Sequence, residues 1–451
     1  MASPNPSRSE RVTLPIPRPT SAPIPLDSNM LFAFPVPSSY TFAFTNSPST
    51  NFHEHHSSDE NQDEPFHPTE FMKTMINDFV LNEESPKSSQ IFHEQSHTVA
   101  EFTPIGIPFF NLYSNSSPQF TAQDIYSHAY EMAKDQIGCR MLQKKLEEMN
   151  PYSVQTIFDQ IQPHLPELMI DPFGNYLIQK LLEVCEESVF SSAISAVSNE
   201  LANISLNPHG TRAVQKLIDL LGSFQKFVGQ VVNSLKPEIL TLIKDINGNH
   251  VVQRCVNSLK SPKNQFIYDV VGQNILQIAT DRHGCCVLQR CIQAATDVQK
   301  DELVEKIIVK AVELVQDAFG NYVVQYVIDL NSEKVNEKLA FIFMSSIHKL
   351  ATQKFSSNVI EKCLQQNTEE IQQKMIEEIG KEENVGKMIG DQYANYGRFY
   401  LVVQRALMLA RPKALEKMLG FIKPKMEELK ASHFGKKIYL KLVKNYPDLS
   451  E

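Results

Sequence analysis

The chain has 451 residues, 42% of them hydrophobic and 21% charged, with 43 Lys+Arg against 52 Asp+Glu and a formal net charge of -9. That balance excludes attachment to polyanions by bulk charge, and no apolar run approaches the roughly 18–20 residues that a membrane span requires. Seven cysteines, an odd count without disulfide-framework spacing and with no secretory leader, point to a reducing, intracellular compartment.

Residues 1–119 read as a disordered Pro/Ser/Asn-rich tail. Residues 1–121 carry 16 of the 26 prolines, with 5 basic and 13 acidic side chains. Segments such as PIPRPTSAPIP cannot sustain helix or sheet, because proline removes donors and fixes φ. Scattered aromatics (Phe32, Phe34, Phe42, Phe44, Phe109, Phe110 and Tyr113) suit partner docking or no defined role. His53, His55 and His56 cluster without the second ligand set that a metal needs, and no cofactor is implied.

From residue 120 to 451 the chain reads as an array. The phrases GCRMLQ, GNYLIQ, GTRAVQ, GNHVVQ, GCCVLQ, GNYVVQ and SSNVIE end at Gln143, Gln179, Gln215, Gln253, Gln289, Gln325 and Glu361, at intervals of 36, 36, 38, 36, 36 and 36. Such a period marks stacked helical repeats, drawn at approximately 122–157, 158–193, 194–231, 232–267, 268–303, 304–339, 340–377 and 378–420. A C-terminal cap follows over 421–447. Each unit is expected to hold two helices, the first of the second unit near 153–169, with Gly174 allowing a tight turn into the next. At about 100° per residue, Asn175, Tyr176 and Gln179 share one arc and are expected to face outward. Leu177, Ile178, Leu181 and Leu182 lie opposite. One unit has too little core to stand alone, so stacking must supply it. The expected fold is an all-α, right-handed, curved solenoid.

Within a fixed apolar frame the polar residues vary. The trios are Cys139, Arg140, Gln143; Asn175, Tyr176, Gln179; Thr211, Arg212, Gln215; Asn249, His250, Gln253; Cys285, Cys286, Gln289; Asn321, Tyr322, Gln325; and Ser357, Asn358, Glu361. The middle members are mostly flat, which suits stacking on bases at roughly 1–3 kcal/mol each. The outer pair can touch a base edge. Gln and Asn both donate and accept, whereas Glu361 only accepts and suits the two donors of guanine. Single-stranded RNA exposes such edges. The alternative is a protein-binding scaffold with solvated amides.

These phrases, with DQIGCR, DINGNHVVQRC, DAFGNYVVQ and QKFSSNVIEKC, resemble the Pumilio/PUF family of RNA-binding proteins over about residues 120–447. The resemblance implies eight Pumilio-type repeats with RNA antiparallel to the chain. It implies that Asn or another small group with Gln reads uracil, Cys or Ser with Gln adenine, and Ser with Glu guanine. Carried over unit by unit, repeats seven to one read G, U, A, U, A, U, A, for a 5′-UGUAUAUA-3′ element in mRNA 3′ untranslated regions. It also implies a cytoplasmic, monomeric repressor of translation or promoter of decay, acting through deadenylase-complex subunits or other regulators. No enzymatic constellation is present in the sequence.

Two units depart from the pattern. Cys286 stands where a flat side chain stacks; a zinc set of His283, Cys285, Cys286 and Cys291 has no paired knuckle. The eighth unit, DQYANYGRFYLVVQRAL, holds five extra residues, Gly397 to Leu401. Either Asn395 and Tyr396 or Gln404 can keep the reading face, because five residues turn a helix about 140° past a full turn. Basic residues follow the reading position (Lys144, Lys180, Lys216, Arg254, Arg290, Lys362 and Arg405), placed either to meet phosphates or to cover helix edges. The acidic stretch NTEEIQQKMIEEIGKEENVGKM reads as a partner surface or as ordinary helix and loop.

Overall fold

The computed structural model describes residues 122–390, 399–431 and 435–450. The tail, Asn395 and Tyr396 lie outside the described residues. All regular structure among the described residues is helical, and no helix there is long and apolar enough to cross a membrane.

Each repeat contributes three helices rather than the expected two. In the second unit the stretch 153–169 divides into Pro151–Ile161, a 3-10 turn at Gln162–His164 and Leu165–Ile170. Pro163 and Pro166 fall in the opening turns of the last two pieces, where a missing N–H costs nothing. The fourth unit divides the same way around Pro237, between Val228–Leu235 and Ile239–Lys244. The fifth has no proline there. It breaks at Asn274 (φ -122°, ψ 31°), between Gln265–Gln273 and Ile275–Ala279.

The third helix of each unit bears the trio. These reading helices are Gln136–Glu147, Gly174–Val184, Gly210–Leu220, Gly248–Ser258, Gly284–Ala294, Gly320–Asp329, Ser356–Gln366 and Phe399–Leu409. Each packs beside the next to form one continuous layer of the solenoid. Its other side buries pairs one turn apart: Leu177, Ile178, Leu181 and Leu182 are at most 2% exposed. A fully buried Leu or Ile contributes about 1.5–3 kcal/mol, but only because helices of the neighbouring unit cover it. The two residues that lengthen the third interval lie between Leu220 and Val228, where Phe224 stacks on Phe190 with centroids 4.2 Å apart. At the ends, Tyr126 bonds Ser153 (2.8 Å), and Gly435–Asn445 packs on Met426–Ala431. Both segments cover core at the ends of the described repeats.

Candidate nucleic-acid interface

An acidic or amide side chain sets the entry to six of the reading helices. Asp171 Oδ1 accepts from the backbone N–H of Phe173 (2.8 Å) and Gly174 (2.7 Å). Asp135, Asn207, Asp245, Asp281 and Asp317 do the same in their units. This Asx turn satisfies donors that the first helical turn leaves open. The glycine that follows is needed for close approach rather than for a turn. A Cβ on Gly174 would sit 2.7 Å from the carbonyl oxygen of Leu168, and one on Gly210 only 2.3 Å from that of Ile204. In repeat seven Ser356 takes this place and donates its hydroxyl to Leu350 O at 2.6 Å, turning the tight contact into a hydrogen bond.

The first member of each trio does not face outward, as the helical arc had suggested. Asn175, Asn249 and Asn321 are 0% exposed, and Cys139, Thr211, Cys285 and Ser357 at most 5%, because the neighbouring reading helix covers them. Asn249 donates Nδ2 to the carbonyls of Asp245 (2.9 Å) and Ile246 (2.8 Å) and accepts Gln253 Nε2 on Oδ1 at 2.9 Å. Asn175 and Asn321 hold Gln179 (3.0 Å) and Gln325 (2.9 Å) in the same way. Cys139 and Thr211 accept from Gln143 (3.1 Å) and Gln215 (3.3 Å). The first member therefore anchors one N–H of the glutamine amide. Its carbonyl and second N–H remain to meet a ligand.

Two units lack this anchor. The amide nitrogen of the buried Gln289 has no partner, and neither has the hydroxyl of Ser357. In repeat five, Cys285 Sγ instead lies 3.3 Å from Arg282 O and 3.9 Å from Cys286 Sγ. The hydrogen bond between the two thiols pushes Cys285 up and holds Cys286 below the usual thiol value. Cys286 is half-buried at the flat-residue position, and Cys291 is buried on the core side. Among the described residues no group of three or more His, Cys, Asp or Glu is arranged to hold a metal.

The middle members are the accessible ones. Tyr176 is 47% exposed, Arg140 and Arg212 are exposed, and His250, Tyr322 and Asn358 are half-buried. Arg212 Nη1 reaches Tyr176 Oη at 3.3 Å. The middle members of repeats two and three thus approach one another.

Four of the basic residues after the reading position form an ion-pair ladder. The partner is the acid four residues after the reading position of the preceding unit. Lys180 pairs with Glu147 (3.5 Å), Lys216 with Glu183 (2.6 Å), Arg254 with Asp219 (3.5 Å) and Lys362 with Asp329 (2.5 Å). The signal was present as an acid at one register and a base 33 or 35 residues later.

The eighth helix takes one of its two open registers. Val402, Val403, Ala406 and Leu407 are buried, as Val359, Ile360, Cys363 and Leu364 are in repeat seven. Gln404 therefore falls in line with Glu361, Tyr400 takes the helix position of Ser357, and Leu401, 40% exposed, takes that of Asn358. Arg405 follows, its Nη2 3.1 Å from Glu361 Oε1.

A sequence model of the Pumilio-family RNA binding repeat matches residues 128–162, 164–192, 201–227, 238–271, 274–308, 310–340 and 346–379. The Puf4 RNA binding domain, solved bound to the HO endonuclease RNA 3′ UTR recognition sequence, is 38% identical with a TM-score of 0.60. The similarity covers 69% of this chain and 97% of that one. The chain belongs to the Pumilio (PUF) family. The RNA-binding domain of yeast Puf5p bound to SMX2 RNA is 28% identical with a TM-score of 0.62, over 73% of this chain and 99% of that domain. A Pumilio domain-containing protein of Schizosaccharomyces pombe is 40% identical over 369 residues, 79% of this chain. This chain spans only 53% of that relative's own length. The matched PUF segments end at residue 379, ahead of the helix that carries Gln404 and Arg405.

Proposed function

We propose that this chain is a sequence-specific reader of single-stranded mRNA that takes one base per repeat. The observation that carries the reading is the row of third members. Gln143, Gln215, Gln253 and Gln325 are each anchored at one N–H and open at the other polar atoms, whereas Gln179 sets its amide nitrogen against two acceptors of Asn175 and keeps its carbonyl open. An amide held in that way offers one acceptor and one donor to a base edge. The accessible middle residues supply the stacking surface. The solved Puf4 domain holds a 3′ UTR recognition sequence and the Puf5p domain holds SMX2 RNA, which supports RNA as the ligand class here.

By trio, repeats seven to one read G, U, A, U, A, U, A from the 5′ side. If Gln404 reads uracil, the element is 5′-UGUAUAUA-3′. The middle and third members of the trios named above, and Gln404, are the proposed contacts; the buried first members act behind them. Regulation runs through recruited translational or deadenylation factors, in the cytoplasm. The test is fluorescence anisotropy of the full chain with labelled UGUAUAUA at fixed salt, against the same RNA with the guanine replaced by cytosine. Binding that weakens at least tenfold supports the reading; equal binding to both sinks it.

A further inference from the structure

Repeat seven departs from the rule by which five of the other units orient their reading side chain. In repeats one to four and six the first member holds the third. In repeat seven the Ser357 hydroxyl is buried with no partner, and the Glu361 carboxylate is taken up elsewhere. Arg405 Nη2 and Nε lie 3.1 and 3.4 Å from Glu361 Oε1, and Gln365 Nε2 lies 3.3 Å from the same atom. Both ion-pair partners are largely covered, at 33% and 21% exposure.

The charge pattern explains why. By the ladder, Arg405 should meet an acid four residues after Glu361. That position is Gln365, so the guanidinium has no ladder carboxylate. It reaches one helical turn back, to the reading residue itself.

We propose that Arg405 latches the guanine-reading carboxylate, a specificity-determining residue that repeat eight supplies to the base read by repeat seven. This rests on the reading of Glu361 under Proposed function. The Watson–Crick edge of guanine presents two donors, N1–H and N2–H, which need both carboxylate oxygens. Oε1 already faces three donors with two lone pairs. Guanine entry therefore displaces Arg405, at the cost of an ion pair. A base with acceptors at that edge gains nothing by opening the latch, and it meets a neutralised carboxylate while the latch is closed. The latch thus narrows the preference for guanine.

The test measures full-length chain by anisotropy against labelled UGUAUAUA and UCUAUAUA at one salt concentration. Arg405→Met should raise the ratio of the two affinities about two- to fivefold, the worth of a partly screened ion pair. Lys362→Met removes a neighbouring ladder charge and should weaken both RNAs alike. Gln365→Asp supplies the missing ladder acid and should raise the ratio with all basic charge retained. It serves if Arg405→Met fails a thermal-melt check. A ratio unchanged or lowered in the folded variants overturns the latch. An unmutated protein indifferent to the guanine overturns the parent reading, and the latch with it.

Discussion

Asn249→Ala tests the assignment of the first trio member as a holder. The side chain is 0% exposed and makes three hydrogen bonds: to the carbonyls of Asp245 and Ile246, and from Gln253. Neutral hydrogen bonds contribute about 0.5–1.5 kcal/mol each, and a stranded acceptor adds to the loss. Asp245 O keeps the backbone N–H of Asn249 (3.2 Å), so the Ile246 carbonyl is the group deprived of its side-chain donor. Stability should fall by about 2–4 kcal/mol, read from a urea titration. Freed from its anchor, Gln253 gives up about 1 kcal/mol of oriented bonding at the fifth base, or roughly fivefold in affinity. Anisotropy with UGUAUAUA and with its fifth base changed to adenine should show a smaller difference than in the parent protein. Full discrimination at that base, in a variant that has lost stability, would refute the holder role.

Three further outcomes are expected. Gly210→Ala drives a Cβ to 2.3 Å from Ile204 O and should cost at least about 1–3 kcal/mol. Gly229→Ala meets nothing within 4 Å and should be neutral or stabilising by up to about 1 kcal/mol; equal melting shifts would contradict the close-approach argument. Burial pushes Cys255, Cys291 and Cys363 up to about 12, whereas Cys286 is lowered and half-exposed. Iodoacetamide should therefore label Cys286 first, at a rate rising with pH through a midpoint below that of a free thiol; mass spectrometry finding a buried cysteine labelled sooner would refute this. Cys286→Arg restores a flat cation to the fifth unit and should tighten UGUAUAUA binding about fivefold or more, and no gain in anisotropy would count against stacking at that position.

The period and the helical register of the trios were legible because both are local. The apolar pairs Leu177/Ile178 and Leu181/Leu182 and the spacing of the terminal Gln residues need only helix geometry. Features that depend on a neighbouring unit were not legible. A helical wheel places Asn175 on the polar arc, yet the next reading helix buries it completely. Gly174 looked like a turn residue, but its role is set by the Leu168 carbonyl that lies against it. The helix break at Pro237 left a firm mark in the sequence, whereas a lone asparagine at Asn274 marks a break far less firmly than a proline. The eighth unit offered two registers on paper, and burial of Val402 and Val403 selected one. The pairing of Arg405 with Glu361 could not be read ahead, because it arises from an acid that is absent at position 365 and a side chain that reaches past it.

One repeat reading one base is the central claim. The most direct measurement changes repeat six to the outer pair of repeat seven, with Asn321→Ser and Gln325→Glu, and scans all eight positions of UGUAUAUA by anisotropy. The preference at the third base should move from uracil to guanine while the other seven positions keep theirs. Preference that stays with uracil, or that shifts at some other position, would contradict the account.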